Sequence, residues 1–404
     1  MEQIRTINEI NNKISKGEAV VIGVDEFKKV CATEGIKKAA EKIDVVTCAT
    51  FSPTCGTGIM MNLGHTNPPI KFKEAYFNNV RAYTGFTSVD AYIGSDQPSE
   101  DNNINIHYGG AHVMEDLLNK KTIHFKAVGF GPRCHSYPRE DVETYISLDD
   151  INEVFFIAHR FCVQKGSGYV NSSSKKIGTY KGIVFPSFSN CVYTGTGELN
   201  PLINDIDGEV IGIGTRILLS GAQGYIIGEG TQHNPEKTAS TTMLRCRFRD
   251  INPKYFRAVV FENYASSLYI GLAVPIPILN IKIAKNCAIR DHEIQTVIKD
   301  AGDQEHWEGE KPVICKISYQ ELKSGKIKLP NGKTIVSTTV SSVMMAKKIM
   351  RELKQQIVDK KFYLTPCLEK IPQPPYKSLK TFKVDESFVG LKKGKDDYVD
   401  KKKS

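Results

Sequence analysis

The clearest structural signal in this 404-residue chain is Asp44-Val-Val-Thr-Cys48, which continues into Phe51-Ser-Pro-Thr-Cys55-Gly-Thr-Gly58. The first part is a short apolar run rich in valine, which predicts a buried strand. The second part places Pro and Gly around a cysteine, which predicts a turn directly after that strand. The segment therefore indicates an α/β architecture in which Cys55 lies just beyond the carboxyl end of a strand.

The same arrangement recurs further along the chain. Residues 110–118 are helix-like, and Thr122-Ile-His-Phe-Lys-Ala-Val128 alternates as a half-buried strand does. That strand ends in Gly129-Phe-Gly-Pro-Arg-Cys134-His-Ser-Tyr-Pro-Arg139. Ligands of α/β sheets bind beyond the carboxyl ends of the strands. We therefore expect Cys55 and Cys134 to mark such a crevice.

Outward from these two motifs, the character of the sequence changes at about residue 166. Glycines recur between short β-branched runs up to about residue 281, which predicts short strands and tight turns. Asn331-Gly332 predicts a hairpin, and residues 340–360 have the apolar spacing of a long helix. A second helix-like stretch begins at Asp25 and runs to Ala39, although it contains a glycine.

These segments predict a mixed α/β (α+β) fold in one catalytic unit. Residues 1–165 are expected to form an α/β region that carries both cysteine loops. Residues 166–370 are expected to form a glycine-rich, β-strand-rich lobe with a C-terminal helix. Residues 371–404 are rich in Pro and Lys, which predicts an extended tail.

Composition narrows the functional classes. The chain is 40% hydrophobic and 25% charged, as is typical of a globular protein with a substantial core. Its net charge of +9 comes partly from residues 391–404, and no basic run is interleaved with aromatics, so nucleic-acid binding is not expected. Residues 1–17 lack the apolar core of a signal peptide, and two prolines interrupt the uncharged stretch 263–281. We expect a cytoplasmic protein without a membrane segment.

Several common catalytic signatures are missing from the sequence. The ten cysteines include no Cys-x-x-Cys pair, so neither a zinc ribbon nor a ferredoxin-type cluster is encoded locally. No Gly-x-Gly pair completes Gly-x-Gly-x-x-Gly, and Gly332-Lys-Thr334 lacks the upstream glycine of a P-loop. His-Glu-x-x-His and Gly-x-Ser-x-Gly do not occur either. Dinucleotide enzymes, P-loop NTPases, zinc hydrolases and serine hydrolases are therefore disfavoured.

Cys55 and Cys134 are the candidate nucleophiles. At a strand-to-helix turn, backbone N–H groups and the helix dipole stabilise a thiolate such as that of Cys55. Arg133, His135 and Arg139 lie close to Cys134 in sequence, and cationic neighbours also favour a thiolate. The alternative is that each cysteine is an incidental free thiol, as most are. The residues alone leave both interpretations open.

The two cysteine motifs together resemble the homocysteine biosynthesis (HcyBio) family. Gly195-Thr-Gly-Glu-Leu-Asn-Pro201 and Ile211-Gly-Ile-Gly-Thr-Arg216 add to the resemblance, which covers roughly residues 10–370. Characterised members are L-aspartate semialdehyde sulfurtransferases of anaerobic archaea. The resemblance implies that sulfide-derived sulfur is added to the aldehyde carbon of L-aspartate semialdehyde, and that two electrons reduce the adduct to L-homocysteine, a precursor in methionine biosynthesis.

The same resemblance implies the partners and the essential thiols. The family's essential cysteines map onto Cys55 and Cys134, with a persulfide on one of them, and a small ferredoxin-like protein takes part as electron donor. Some members carry a C-terminal pair of CBS domains. Residues 371–404 leave no room for them, so regulation by adenine nucleotides through such domains is not expected. No resident cofactor is certain, and association into a homo-oligomer is left open.

Local charge suggests how the two thiols divide the chemistry. We expect the persulfide on Cys134, because Arg133 and Arg139 supply positive charge, and the resolving thiol at Cys55. The reverse assignment is the alternative. The aldehyde oxygen needs a hydrogen-bond donor and the substrate carboxylate needs an arginine. The candidates for these contacts are the backbone N–H groups of Gly56 and Gly58 and the side chains of His135, Arg133, Arg139 and Arg216.

Three other functions would use some of the same residues differently. An iron–sulfur protein would ligate a cluster with Cys55, Cys134 and a third, distant cysteine. A sulfur-carrier subunit of a larger complex would need only one of the two thiols. A CoA-transferase-like enzyme would need a catalytic glutamate, for which Glu198 and Glu229 are the candidates.

Overall fold

The computed structural model describes residues 4–54, 56–101, 108–161, 166–230, 241–262, 265–302 and 311–371; the side chains of residues 160, 161 and 241 are not described. Helices and strands alternate through these ranges, which confirms the predicted mixed α/β fold. The α-helices are α1 (Ile7–Lys16), α2 (Val24–Glu34), α3 (Ile36–Lys42), α4 (Gly110–Leu118), α5 (Pro201–Asn204), α6 (Ile281–Ala288), α7 (Tyr319–Lys323) and α8 (Val343–Val358). No helix among the described residues is long and apolar enough to cross a membrane.

The strands build one large central sheet and several smaller ones. In chain order they are β1 (Val21–Gly23), β2 (Val45–Thr54), β3 (Thr57–Asn62), β4 (Phe72–Phe77), β5 (Val80–Ala82), β6 (Asp90–Gly94), β7 (Ile123–Gly129), β8 (Asp141–Ile146), β9 (Glu153–Phe161), β10 (Gly168–Val170), β11 (Ile177–Thr179), β12 (Gly182–Val184), β13 (Asn190–Tyr193), β14 (Gly212–Ile213), β15 (Arg216–Leu219), β16 (Ala222–Glu229), β17 (Thr241–Arg247), β18 (Phe256–Phe261), β19 (Ala265–Pro277), β20 (Gln295–Asp300), β21 (Val313–Ser318), β22 (Lys326–Lys328), β23 (Thr334–Thr339) and β24 (Glu369–Lys370).

The central sheet contains ten strands within the described ranges. Its order is β1-β2-β19-β15-β16-β17-β9-β3-β6, with β18 added on β19. β2 ends at Thr54 and β3 begins at Thr57, so two strands far apart in this order are consecutive in the chain. The Thr54 hydroxyl also donates to the carbonyl of His159 in β9, the neighbour of β3, at 3.3 Å. The Thr54 side chain thus links the carboxyl end of β2 to β9.

β2 is longer than the sequence predicts. It pairs antiparallel with β19 along its whole length, from Val45 opposite Pro277 to Thr54 opposite Leu268. The prediction that a turn begins at Phe51 is therefore wrong, because pairing with a strand more than two hundred residues away keeps the chain extended as far as Thr54. A strand, β3, and not a helix follows position 56, so the expectation that a helix dipole acts on Cys55 is wrong.

Helix α8 packs on the central sheet and begins beside β2. α8 packs on β2 and β19, and a Cβ on Gly271 would lie 2.6 Å from Ile349 Cδ1, so the absence of a side chain there allows close packing. Ser342 caps α8 by accepting a hydrogen bond from the N–H of Met345 at 3.2 Å. The N–H of Ser342 in turn donates to the carbonyl of Phe51 at 2.9 Å. The start of α8 is thus fastened beside the carboxyl end of β2.

Four local predictions can be compared directly with the structure. The helix predicted over 110–118 and the long helix within 340–360 are confirmed as α4 and α8. The Asn331-Gly332 hairpin is confirmed between β22 and β23, with Gly332 at φ +85°. The single helix predicted from Asp25 to Ala39 is wrong, because Gly35 adopts φ +86° and separates α2 from α3.

Residues 166–370 contribute strands to both the central sheet and a second, smaller sheet. β15 to β19 belong to the central sheet, and the main hydrophobic core contains residues from both halves of the sequence, such as Ile10, Phe156, Leu218 and Ile349. A second sheet, ordered β21-β20-β10-β13-β23-β22, has its own smaller core around Ile298. A third, ordered β5-β4-β7-β8, carries the strand that leads to Cys134.

Candidate active site

The turn between β2 and β3 is fastened on both sides, although Cys55 itself lies outside the described residues. The N–H of His159 donates to the carbonyl of Gly56 at 2.5 Å. The N–H of Ser95, just past β6, donates to the carbonyl of Thr57 at 2.7 Å. Hydrogen bonds from two different neighbouring strands thus hold the residues that follow Cys55, and this rigidity suits a position that has to hold a reacting group in place.

The two glycines of this motif are required by close contacts. A Cβ on Gly56 would lie 2.7 Å from His159 Cβ, and a Cβ on Gly58 would lie 2.5 Å from both Tyr92 Cζ and the carbonyl oxygen of Ile93. Any side chain at either position would displace these neighbours. β3 is paired on both edges, so the N–H of Gly58 belongs to the sheet ladder and is not available to an aldehyde oxygen.

His159 and Tyr92 are therefore the side chains nearest to the motif in the described part of the chain, and sequence reasoning missed both. They come from β9 and β6, which pair with the two edges of β3. Burial raises the pKa of the Tyr92 phenol, and the charge of Asp96 acts in the same direction. No motif links these residues to Cys55 in the sequence, because the strand pairing that brings them together is non-local.

The glycine-rich segment from residue 195 lies against β2. The N–H of Gly195 donates to Ser341 Oγ at 2.8 Å, and that hydroxyl is 2.6 Å from Ser52 Oγ. Thr196 Oγ1 donates to the carbonyl of Ala49 at 3.1 Å. These contacts connect residues 195–196 and Ser341 to β2 at Ala49 and Ser52, a few residues before Cys55.

Cys134 lies on a loop that follows β7. A short 3₁₀ turn, Gly131–Arg133, precedes it, with Gly131 at φ +71° in the left-handed region that glycine favours. The N–H of Cys134 donates to the carbonyl of Gly131 at 2.9 Å, and the carbonyl of Cys134 accepts from the N–H of Tyr137 at 2.9 Å. The thiol is half-buried and is not part of a disulfide.

The three polar neighbours of Cys134 have different environments. Arg133 and His135 are exposed, and in the described part of the chain neither side chain has a hydrogen bond. Arg139 donates to the carbonyl of Asn67 at 2.7 Å and to that of Pro68 at 3.2 Å, so its guanidinium mainly fastens the loop. Arg133 is thus the cation of this loop that a ligand can reach most directly.

The loops that carry the two candidate thiols are attached at opposite ends of β3. The turn at position 55 precedes Thr57, whereas the Cys134 loop rests on residues 65–71, which follow Asn62. Gly129, at the base of that loop, pairs with Phe72 in a different sheet from β2. The six residues of β3 span about 17 Å. The strands that precede the two cysteines thus belong to different sheets, and a shared crevice for Cys55 and Cys134 stays a prediction.

The remaining predicted candidates have other environments. Arg216 donates to the phenol of Tyr225 at 3.0 Å and lies against the aromatic ring of Phe362. Glu198 accepts from the N–H of Asp291 at 3.2 Å, whereas Glu229 is exposed at the end of β16. Neither glutamate contacts the two cysteine loops through a described hydrogen bond.

The other described cysteines are poor nucleophiles. Burial raises the pKa of the thiols of Cys48, Cys246 and Cys287, and it raises that of Cys191 to about 12. Cys162 lies outside the described residues, as do His107 and His233. Within the described ranges, no three His, Cys, Asp or Glu side chains are grouped so that they could hold a metal ion.

Comparison with known proteins identifies a family and several relatives of this chain. Residues 19–364 match the profile of the family described as "Homocysteine biosynthesis enzyme, sulfur-incorporation". The chain is 45% identical over 390 residues to the L-aspartate semialdehyde sulfurtransferase of Methanocaldococcus jannaschii, covering 94% of this chain and 75% of that protein. It is 44% identical over 369 residues to the protein of the same name from Methanosarcina acetivorans, covering 91% and 72%.

A more distant relative from Methanothermobacter thermautotrophicus is 28% identical over 341 residues, covering 80% of this chain and 73% of that protein. No solved structure matches the chain significantly. The profile match and the two relatives above 40% identity both extend over most of the sequence, including the two cysteine loops. The chain belongs to the homocysteine biosynthesis enzyme family of sulfur-incorporating proteins.

Proposed function

We propose that this protein is an L-aspartate semialdehyde sulfurtransferase, which converts L-aspartate semialdehyde and sulfide to L-homocysteine. The observation that carries the proposal is the 45% identity, over 94% of the chain, to a protein of that name. The net reaction consumes the aldehyde, hydrogen sulfide, two electrons and two protons, and it releases the thiol and water. The electrons come from an external donor, for which a ferredoxin-like protein is the expected class.

The proposed cycle begins with a Cys55–Cys134 disulfide. Hydrosulfide attacks the sulfur of Cys134, forms a persulfide there and releases the Cys55 thiolate. Arg133 is exposed next to Cys134, and its positive charge favours the persulfide anion. The terminal sulfur then attacks the aldehyde carbon, and the carbonyl oxygen takes up a proton to become a hydroxyl.

The Cys55 thiolate completes the sulfur transfer. It attacks the inner sulfur of the Cys134 adduct, re-forms the disulfide and releases the hydroxy-thiol of the substrate. These steps neither consume nor release electrons overall, because one disulfide is opened and one is formed. Loss of water gives a thioaldehyde, and two electrons and two protons from the donor protein reduce it to the thiol of L-homocysteine.

This relay requires the two sulfurs to meet, with Cα atoms within about 7 Å. The bases of the two loops lie at opposite ends of β3, so the relay predicts a movement of the 130–139 loop or an exchange between two copies of the chain. The loop connects β7 to β8, and the N–H of Gly129 at its start donates to the carbonyl of Glu140 at its end, at 2.7 Å. Because this hydrogen bond closes the base of the loop, the loop can move without opening the sheet.

The function is tested by anaerobic assay of homocysteine from L-aspartate semialdehyde, sulfide and a reducing agent. We expect Cys55→Ser and Cys134→Ser each to lower the rate at least about 100-fold, because the two thiols act as one unit. Cys367→Ser is the matched control, since this half-buried thiol contacts neither loop, and its rate should stay within about twofold. Absence of homocysteine formation by the unmodified protein would refute the proposal, and full activity of either serine variant at position 55 or 134 would refute the relay.

A further inference from the structure

One face of the central sheet beside the β2–β3 turn is only half-covered. Along β9 the residues alternate: Val154, Phe156 and Ala158 are buried, whereas their neighbours on the opposite face are half-exposed. Gly56 and Gly58 belong to the half-exposed face, because their missing side chains would point at His159 Cβ and at the Tyr92 ring. The two glycines thus let His159 and the Tyr92 ring lie close against β3 on this face.

Tyr92 places a phenol on this surface. Its ring extends from β6 over Gly58, and its Cε1 atom is 3.9 Å from the position of a Cβ on Gly94, which pairs with Gly58. In the described part of the chain, no group forms a hydrogen bond with the Tyr92 hydroxyl. Burial raises the pKa of this phenol, so it stays protonated at neutral pH and can donate.

Arg245 places a cation on the same face. It lies on β17 directly opposite Ile157 of β9, which in turn lies opposite Gly58 of β3. Its guanidinium carbon is 3.9 Å from the centroid of the Phe155 ring, a stacking contact that holds the group in place. Among the described residues the guanidinium of Arg245 forms no ion pair.

We propose that this face binds the L-aspartate semialdehyde, with the α-carboxylate on Arg245 and the aldehyde oxygen on the hydroxyl of Tyr92. This inference rests on the proposed function and assigns two residues that would contact its substrate. The Cα atoms of Arg245 and Gly58 are separated by two strand spacings, about 10 Å. A four-carbon semialdehyde held by one hydrogen bond of about 2.8 Å at each end spans a similar distance.

The role of Tyr92 follows from the balance of protons. When the persulfide sulfur bonds to the aldehyde carbon, the carbonyl π electrons move to oxygen and produce an alkoxide. Tyr92 donates its proton to that oxygen, so the adduct leaves as a hydroxyl and the tyrosine becomes a phenolate. Solvent returns the proton to the phenolate before the next turnover. A donor positioned at a developing oxyanion is typically worth about 100-fold or more in kcat.

The structural alternative is that the Tyr92 ring only covers two adjacent glycines. Aromatic rings that lie over glycines on a neighbouring strand stabilise sheets without any catalytic role. Tyr92→Phe separates the two explanations, because it keeps the ring over Gly58 and Gly94 and removes only the hydroxyl. Tyr83→Phe is the matched control, since its ring centroid is 6.2 Å from that of Tyr92 and its exposed hydroxyl lies 3.4 Å from Gln97 Oε1.

The expected result for Tyr92→Phe is an unchanged melting temperature and a fall in kcat of about 100-fold, with KM changed less than about threefold. Tyr83→Phe should retain the kcat of the unmodified protein. If Tyr92→Phe keeps full kcat while the unmodified protein makes homocysteine, the phenol has no part in the reaction and only this inference fails. If the unmodified protein makes no homocysteine, the proposed function fails instead.

The carboxylate contact is tested at Arg245. Arg245→Met removes the charge but keeps an apolar group against Phe155, and we expect KM for the semialdehyde to rise about 30-fold or more. Added guanidinium ion should restore part of the loss at low substrate concentration. Arg257→Met is the control, because this exposed arginine of β18 forms an ion pair with Glu115 at 3.1 Å, and it should leave KM unchanged. Equal KM values for the unmodified protein and Arg245→Met would overturn the assignment.

Discussion

The two cysteine loops look alike in sequence but are built differently in the structure. The strands before and after position 55, β2 and β3, both belong to the central sheet, and the described residues on either side are hydrogen-bonded to its neighbouring strands. The Cys134 loop connects two strands of a separate four-stranded sheet, and the side chains next to Cys134 in sequence, Arg133 and His135, are exposed. We infer that the first region positions the substrate and that the second, more easily displaced, brings the sulfur to it.

The largest expected difference between the two regions concerns the space available at Gly58. Gly58→Ala places a methyl group 2.5 Å from the carbonyl oxygen of Ile93, which the sheet ladder holds in place. We expect a loss of about 3 kcal/mol in the free energy of unfolding, measured by chemical denaturation. Gly228→Ala is the control, because a Cβ there meets no atom within 4 Å, and its stability should change by less than about 1 kcal/mol. Equal stability of the two variants would contradict the tight packing of the Cys55 turn.

A smaller effect is expected where Arg139 fastens the Cys134 loop. Arg139→Met removes two hydrogen bonds to the carbonyls of Asn67 and Pro68, and each contributes about 1 kcal/mol. Unfolding should therefore be easier by about 2 kcal/mol at most. Faster amide hydrogen exchange confined to residues 130–139 and 65–71 would show that the loop had loosened locally. Exchange that also increases in β2 and β3 would contradict the separation of the two regions.

The smallest effect is expected at Gly131, where φ is +71°. An alanine in this left-handed conformation costs about 1 kcal/mol, and its Cβ would meet only the flexible side chain of Glu140, at 3.3 Å. Gly131→Ala should fold normally and lower the melting temperature slightly in a calorimetric scan. A destabilisation as large as that of Gly58→Ala would indicate that the Cys134 loop is as tightly constrained as the Cys55 turn.

Local patterns predicted local structure well. The apolar spacing identified α4 and α8, and the Asn331-Gly332 pair identified a hairpin, because each depends on residues close together in the chain. The same reasoning placed a turn at Phe51, where pairing with β19 instead maintains the strand. It also treated the strands before Cys55 and Cys134 as equivalent, although they belong to different sheets.

The candidate site was predicted only in part for the same reason. The two cysteine motifs were visible because their Gly and Pro residues are adjacent to the thiols. Tyr92, His159 and Arg245 were not, because each approaches the motif through strand pairing between residues tens to hundreds of positions apart. A sequence signal does exist in retrospect, since two glycines that share one face of a strand predict that a bulky group from a neighbouring strand fills the space above them.

The central claim is that the thiols of Cys55 and Cys134 form a working pair, and peptide mapping under non-reducing conditions tests it most directly. The protein is freed of sulfide, oxidised mildly, alkylated and digested. We expect a Cys55–Cys134 disulfide, within one chain or between two copies, that sulfide opens to leave a persulfide on Cys134. Complete alkylation of both cysteines as free thiols, in a preparation that still makes homocysteine, would contradict it.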